Sequence, residues 1–205
     1  MIERLAEASG RDVSRETLVR LERFGELLRV ESGRQNLVSA SSLDSLWERH
    51  LIDSAQLVRF EPKRGAWVDI GSGAGLPGLV VAALVEGPVL LVEPRRLRAE
   101  FLTRAVSELG LDDRVSVAAC KAESARGSFD VITARAVAAV DKLLRISTHL
   151  STRNSVWVLP KGRSGQSELA EARRHWHCDA ETVPSYTDSE SEILLLRNVK
   201  AKGGR

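Results

Sequence analysis

The chain holds 205 residues with a formal net charge of +2, 43% hydrophobic and 28% charged side chains. That is enough apolar material for one sizeable core and too little net charge for a polycation, and no apolar run reaches the ~20 residues that a bilayer-spanning helix needs. Two cysteines, Cys120 and Cys178, make neither a disulfide framework nor a zinc spacing, and the charged start Met1-Ile-Glu-Arg-Leu-Ala-Glu is unlike a secretory signal, so a cytoplasmic location is the simplest expectation.

Residues 1 to about 60 read as helices. Val13, Thr17, Leu21, Phe24 and Leu28 recur three or four apart, on one helical face. Residues 33–40 read as a loop. A second helix is expected to start at Ser41 or Ser42, with Ser41 and Asp44 in capping positions, and to run through Leu43, Leu46, Trp47, His50 and Leu51. From Gly65 onward short apolar runs alternate with helical patterns. Residues 66–70, 89–93, 115–119, 129–134, 155–159 and 193–199 read as strands, with helices near 77–85, 95–109, 137–149 and 164–176. This alternation predicts an α/β fold: an open, mostly parallel sheet with helices on both faces. The domain reading is a helical N-terminal extension, residues 1–62, and an α/β core, residues 63–205, in one compact unit. The Gly203-Gly204 tail is expected to fray.

The most informative segment is Val68-Asp69-Ile70-Gly71-Ser72-Gly73-Ala74-Gly75-Leu76-Pro77-Gly78. An apolar strand enters it and an apolar helix, with Pro77 in its first turn, leaves it. Glycines at such a turn take positive φ and let a ligand approach the backbone, holding a nucleotide-like cofactor at the carboxyl end of a strand. Two registers compete. Gly73-x-Gly75-x-x-Gly78 fits a dinucleotide fingerprint, and Asp69-x-Gly71-x-Gly73-x-Gly75 fits the acidic-glycine pattern of S-adenosylmethionine (SAM) enzymes. Glu93, ending the second strand, supports an adenosine ribose in either register. Asp69 tilts the choice toward SAM: a carboxylate there repels a pyrophosphate and attracts an ammonium and a sulfonium. It can also serve simply to tie the turn down by accepting backbone N–H groups.

Four further features carry open alternatives. His50 and Asp53 share a helical face and either cap the mouth of a site or anchor the extension. Arg135 follows the fourth strand, where it either meets ligand or forms a salt bridge with Asp53 or Asp141. Lys161 either meets phosphate or is an exposed lysine. The runs Arg95-Arg96-Leu97-Arg98, Lys161-Gly162-Arg163, Arg173-Arg174 and Lys200-Ala-Lys202-Gly-Gly-Arg205 either bind a phosphate backbone or are solvated surface. His175-x-His177-Cys178 lacks a fourth ligand and reads as structural, so no metal is expected. Asn36 is expected to stabilise its loop, and Trp47, Trp67, Trp157 and Trp176 to be core.

Taken together, Asn36-Leu37, Arg49-His50-Leu51-Ile52-Asp53-Ser54, Asp69 to Gly78, Ala134-Arg135-Ala136 and Pro160-Lys161-Gly162 resemble the bacterial 16S ribosomal RNA (guanine-N7) methyltransferase family, RsmG or GidB. The resemblance covers the chain from about Asn36 to the last strand. It implies a class I SAM-dependent methyltransferase fold, Rossmann-like, with SAM as methyl donor. It also implies one guanine of the 16S RNA of the small ribosomal subunit as acceptor. Carried over residue by residue, it places Gly71 and Leu76 against the cofactor in the first loop, Ala122 and Glu123 on its adenine side, and Arg135 in the binding site. Together with Asp69, Gly73 and Glu93 from the strand positions, these form the expected cofactor set.

Guanine N7 carries a free lone pair, so no proton must leave before it attacks a methyl group. No catalytic base is therefore named. Positioning alone supplies on the order of 7–11 kcal/mol in well-oriented reactions. The protein is expected to act as a monomer on folded RNA with no membrane partner. Three rivals remain from the sequence: a nicotinamide-dependent oxidoreductase, a non-enzymatic RNA-binding factor, and a methyltransferase of small molecules or protein.

Overall fold

The computed structural model describes residues 1–62 and 64–203. Lys63, which opens the expected core, and Gly204 and Arg205, which end the basic tail expected to fray, lie outside the described residues.

Helical segments open the chain: α1 (Ile2–Ser9), α2 (Arg15–Gln35), α3 (Ala40–Leu43), and a run made of a π-helical stretch Trp47–Ile52, the short α4 (Asp53–Ala55) and a 3-10 turn Gln56–Phe60. The Ser14 hydroxyl caps α2 by accepting the Thr17 N–H at 3.1 Å, and Asn36 ends it in the left-handed conformation at φ 50°, which Asn tolerates better than most residues. The helix therefore continues through Gly33 to Gln35, where a loop was expected. An interior glycine costs only ~1 kcal/mol relative to alanine, less than burying Leu21, Phe24 and Leu28 gains. Ser39, not Ser41, caps the next helix, accepting the Ser42 N–H at 3.2 Å. Neighbouring serines offer the same capping chemistry, so sequence alone does not choose between them.

Seven strands form one sheet: β1 (Trp67–Ile70), β2 (Val89–Val92), β3 (Val115–Ala118), β4 (Phe129–Thr133), β5 (Ser151–Lys161), β6 (Trp176–Pro184) and β7 (Glu192–Ala201). Their order is β3-β2-β1-β4-β5-β7-β6, with β1 to β5 parallel and β7 antiparallel to both neighbours. The expected strands are present, and β5 extends further at both ends. β6 was not anticipated. It is an edge strand whose His177, Asp179, Glu181, Thr182 and Pro184 break the apolar pattern, as edges commonly do. The remaining helices are α5 (Gly78–Leu84), α6 (Arg96–Glu108), α7 (Val140–Ser147) and α8 (Gly165–Ala172). α8 thus ends before Trp176, which was placed in it, and Pro77 stands just before α5 rather than inside its first turn.

Alternation along the strands divides the core into two layers. Trp67, Val156, Val158, Ile193 and Leu195 face one layer; Val68, Ile70, Trp157, Leu159, Leu194 and Leu196 face the other. The first layer also takes Leu5, Leu21, Phe24, Leu28, Leu51 and Ile52 from the N-terminal helices, and α2 packs on α5 and α6. The extension is therefore a structural layer of the fold, and the run Trp47–Phe60 reaches the sheet's carboxyl edge. Trp67, Trp157 and Trp176 are buried and Trp47 packs half-buried against the first layer. Among the described residues no helix is long and apolar enough to cross a membrane.

Candidate active site

The carboxyl ends of β1, β2, β3, β4 and β5 converge on one edge, and the strand order reverses direction between β1 and β4, the place where ligands bind in such sheets. There the turn after β1 carries Gly71, Gly73 and Gly75 at φ 68°, 52° and 83°. A Cβ on Gly71 would meet Val137 Cγ2 at 2.7 Å, one on Gly75 Leu79 Cδ1 at 2.6 Å, and one on Gly78 Leu91 Cδ2 at 2.4 Å. These three glycines admit neighbouring protein. Gly73 differs: the atoms nearest its added Cβ, Arg98 Nη1 at 3.5 Å, the Gly71 carbonyl at 3.6 Å and Glu93 Oε2 at 3.9 Å, stand at ordinary contact distance, so packing against the protein does not demand glycine there.

Glu93 links the turns after β1 and β2. Its Oε2 accepts the Gly73 N–H at 2.9 Å and its Oε1 accepts the Arg95 N–H at 2.8 Å. Beside it lies a crevice of about 390 Å³ lined by Gly71, Glu93, Arg95, Arg98, Lys121, Ala122, Glu123, Ala136 and Val137, among others. Of the expected cofactor set, Gly71, Glu93, Ala122 and Glu123 line this crevice, and Gly73 adjoins it through Glu93. Leu76 does not: it is buried in the first core layer. The basic run 95–98, open in the sequence between phosphate binding and solvated surface, divides: Arg95 and Arg98 line the crevice, whereas Arg96 pairs with Glu100 at 2.6 Å. Ala136 and Val137 carried no sequence signal as single residues. Ala136 sits at φ 56°, unusual for alanine, in the loop that walls the crevice.

Asp69 lies beneath the turn, 1% exposed. Its Oδ2 accepts the Gly78 N–H at 3.1 Å, and its Oδ1 has no hydrogen-bond partner among the described residues. Burial pushes its carboxyl up to about 7. The tie-down expected of Asp69 is thus present, and a half-satisfied buried acid remains under the turn. That arrangement suits a ligand bearing positive charge above it and opposes a pyrophosphate.

Arg135 lies on the other side of Ala136 and Val137, against a second pocket of about 150 Å³ that it shares with Asp53, Gln56, Pro160, Lys161 and Glu192. Its Nη1 pairs with Asp53 Oδ2 at 3.3 Å and its Nη2 reaches His50 Nδ1 at 3.2 Å. The Asp53 salt bridge weighed from the sequence is therefore formed, and the Asp141 alternative is not: Asp141 pairs with Arg145 and accepts from Trp176. Burial, reinforced by Arg135 and Arg49, lowers His50 to about 4, so at neutral pH its ring is uncharged. Since Arg135 donates to Nδ1, the proton of His50 sits on Nε2, which has no partner among the described residues. Asp53 thus anchors the extension and lines the pocket at once, and His50 joins the anchor through Arg135. Lys161 is not the exposed lysine weighed from the sequence: its side chain is 12% exposed, 2.7 Å from Glu168 Oε2. His175 pairs with Asp141, and no cluster of three potential metal ligands occurs among the described residues.

The family model described as GidB, rRNA small subunit methyltransferase G, matches residues 17–195. The chain belongs to the GidB family. A relative from Rhizorhabdus wittichii called Ribosomal RNA small subunit methyltransferase G is 44% identical over 195 residues, covering 93% of this chain and 90% of its own length. One of the same name from Erythrobacter litoralis is 48% identical over 182 residues, covering 87% of each chain. Among solved structures, a SAM dependent methyltransferase from Aquifex aeolicus superposes with a TM-score of 0.60 at 14% identity, covering 76% of this chain and 95% of that one. TYW2 of P. horikoshii in complex with MeSAdo superposes at 0.58 with 12% identity, covering 73% and 62%. These two likenesses establish the shared fold. The GidB match runs from within α2 into β7.

Proposed function

We propose that this GidB-family protein transfers a methyl group from SAM to N7 of a guanine in 16S ribosomal RNA of the small ribosomal subunit, as a cytoplasmic monomer. The observation that carries the reading is the positive-φ glycine turn tied to Glu93 through the Gly73 N–H, over the carboxyl ends of β1 and β2, inside a chain of this family. When bound, SAM supplies a methyl group activated by a cationic sulfur. The residues fit it. Gly71 lines the crevice beside Val137, and the backbone of Gly73 next to it carries no side chain. Glu93 is an acceptor for ribose hydroxyls, held in place by two N–H donors. Ala122 and Glu123 flank the far end, where the family resemblance puts adenine. The Asp69 carboxylate supplies negative potential beneath the turn, and Leu76 acts from within the core by fixing the turn's path.

Arg135, at the wall between crevice and second pocket, orients the acceptor base, for which arginine is a frequent partner at guanine O6 and N7. Protein side chains need to remove no proton from N7, so the site works by placing the acceptor and excluding water. Residues 1–62 act with residues 63–205 as one compact catalytic unit.

Incubating the protein with methyl-labelled SAM and small ribosomal subunits, followed by mass mapping of the RNA, tests the reading. One labelled 7-methylguanine is expected. Label in protein, label at another base position, or none at all contradicts it. Tight binding of NAD in place of SAM would restore the dinucleotide reading of the glycine turn.

A further inference from the structure

Gln56 belongs to none of the motifs that mark the site, yet it is 2% exposed and joins three elements. Its Nε2 lies 2.9 Å from Asp53 Oδ1, 3.1 Å from the Asp53 carbonyl and 3.1 Å from Ser185 Oγ. Its Oε1 accepts the Tyr186 N–H at 2.7 Å. Thr187 donates its hydroxyl to the same Asp53 Oδ1 at 2.8 Å. Ser185, Tyr186 and Thr187 lie in the turn between β6 and β7, about 130 residues further along the chain. Asp53 then turns its other oxygen to Arg135.

A carboxylate held by one arginine alone can rotate, and the long arginine side chain can follow it. Two neutral donors on Oδ1 fix the plane of the carboxylate and leave Oδ2 for the guanidinium, whose fork has fixed geometry. His50 Nδ1 takes the second arm of that fork. The contacts therefore run from the β6–β7 turn through Gln56 and Asp53 to Arg135, at the wall between the two pockets.

We propose that Gln56 is a positioning residue for methyl transfer: together with Thr187 it fixes Asp53 and, through Asp53, orients Arg135. This rests on the reading that Arg135 acts on the acceptor base. It makes the β6–β7 turn a support of the active site, although the turn contributes nothing to the cofactor crevice.

The test measures labelled methyl transfer to small ribosomal subunits, SAM affinity by calorimetry, and thermal stability, in single and combined variants. Gln56→Glu keeps the acceptor for Tyr186 but opposes Asp53 with a second carboxylate. It is expected to lower kcat/KM about tenfold, the scale of losing one hydrogen bond to a charged group, with SAM affinity unchanged. Thr187→Val is expected to lower it about fivefold and Thr187→Ser to retain the rate, since the serine keeps the donor. In an Arg135→Ala background neither Gln56→Glu nor Thr187→Val should cost anything more, because both act through Arg135. Losses that multiply in that background would overturn the proposal, as would full rates in both single variants alongside an impaired Arg135→Ala. If Arg135→Ala itself methylates at the normal rate, the role of Arg135 falls and this inference falls with it. Should Gln56→Glu fail to fold, Thr187→Val at the half-exposed turn decides the matter.

Discussion

The two halves of the sheet's carboxyl edge solve the same problem with different materials. Over β1 and β2 the site is made of backbone: positive-φ glycines, a tied-down turn, and a carboxylate held by two N–H groups. Over β4 and β5 it is made of side chains, with Arg135, Asp53, His50 and Gln56 holding one another. A backbone site is set by sterics, so a branched side chain at one of its glycines is expected to disable it. A side-chain network is set by complementary charge and hydrogen bonds, so single changes weaken it by degrees and couple to one another. The first suits a cofactor that must always seat in one way, and the second suits an acceptor that has to be oriented.

The largest effect is expected at Gly73. Gly73→Val should weaken SAM binding by at least ~100-fold, about 2.7 kcal/mol, because a branched side chain would project beside Glu93 and Arg98 at the crevice. The positive φ costs ~1–2 kcal/mol of stability but leaves the core packed. Gly78→Ala should act first on stability, since its Cβ would meet Leu91 Cδ2 at 2.4 Å and Asp69 Oδ2 at 2.5 Å and strain the core by ~1–3 kcal/mol, with a smaller loss of SAM affinity as Asp69 is displaced. Calorimetry with SAM and thermal melts separate the two outcomes. Unchanged SAM affinity in Gly73→Val would remove the crevice from the account.

Next comes Arg135→Ala, on the side-chain half. Methyl transfer should fall by about 100-fold while SAM affinity changes by no more than about threefold, the pattern of a lost transition-state contact. Some stability goes too, since Asp53 loses its cation. A variant that merely unfolds, with activity proportional to the folded fraction, would reduce Arg135 to an anchor.

Asp69 probes the charge under the backbone half. An acid whose folded-state value is raised binds its proton more tightly folded than unfolded. The ligand-free stability share of Asp69 is therefore lost as pH rises from the ordinary 3.8 to about 7, and is flat above that. His50 has the opposite slope nearby: its lowered value removes stability as pH falls from 6.5 to about 4. Asp69→Asn isolates the first slope. It should raise the Tm at pH 8 more than at pH 5 and weaken SAM binding by about tenfold at pH 8, a stability gain at a cost in function. It should also abolish the tightening of SAM binding expected in the parent protein as pH rises through about 7. A Tm difference independent of pH would show that the buried acid is not the source.

The smallest effects fall on ion pairs beside the second pocket. Lys161→Met removes a pair whose side chains are 12% and 20% exposed and should cost ~1–3 kcal/mol in denaturant melts. Arg163→Ala removes an exposed partner of Glu190 and should stay within ~0.5 kcal/mol.

The same contrast explains what could be read from the sequence. The glycine turn, Glu93 and the strands β1 to β5 were legible because local pattern fixes them. Glycine spacing, apolar runs and the acid after the second strand all sit within short windows. Arg135 was legible as a candidate but its partner was not settled, since Asp53 lies 82 positions away and only the fold brings it near. Gln56 and Thr187 gave no signal at all: each is an ordinary polar residue until the β6–β7 turn closes on the helical run. β6 was missed for a related reason, because an edge strand with polar alternation lacks an apolar run of its own. Lys161 stayed open between phosphate contact and exposure because the sequence does not show Glu168 folding back to pair with it.

The most direct test of the central claim is a crystal structure of the protein soaked with SAM or its demethylated product. Density is expected in the crevice between the β1 and β2 turns, with ribose hydroxyls on Glu93, the backbone of Gly73 in contact, and adenine beside Ala122 and Glu123. Density at any other place on the molecule, or a crevice still empty at saturating ligand, would contradict it.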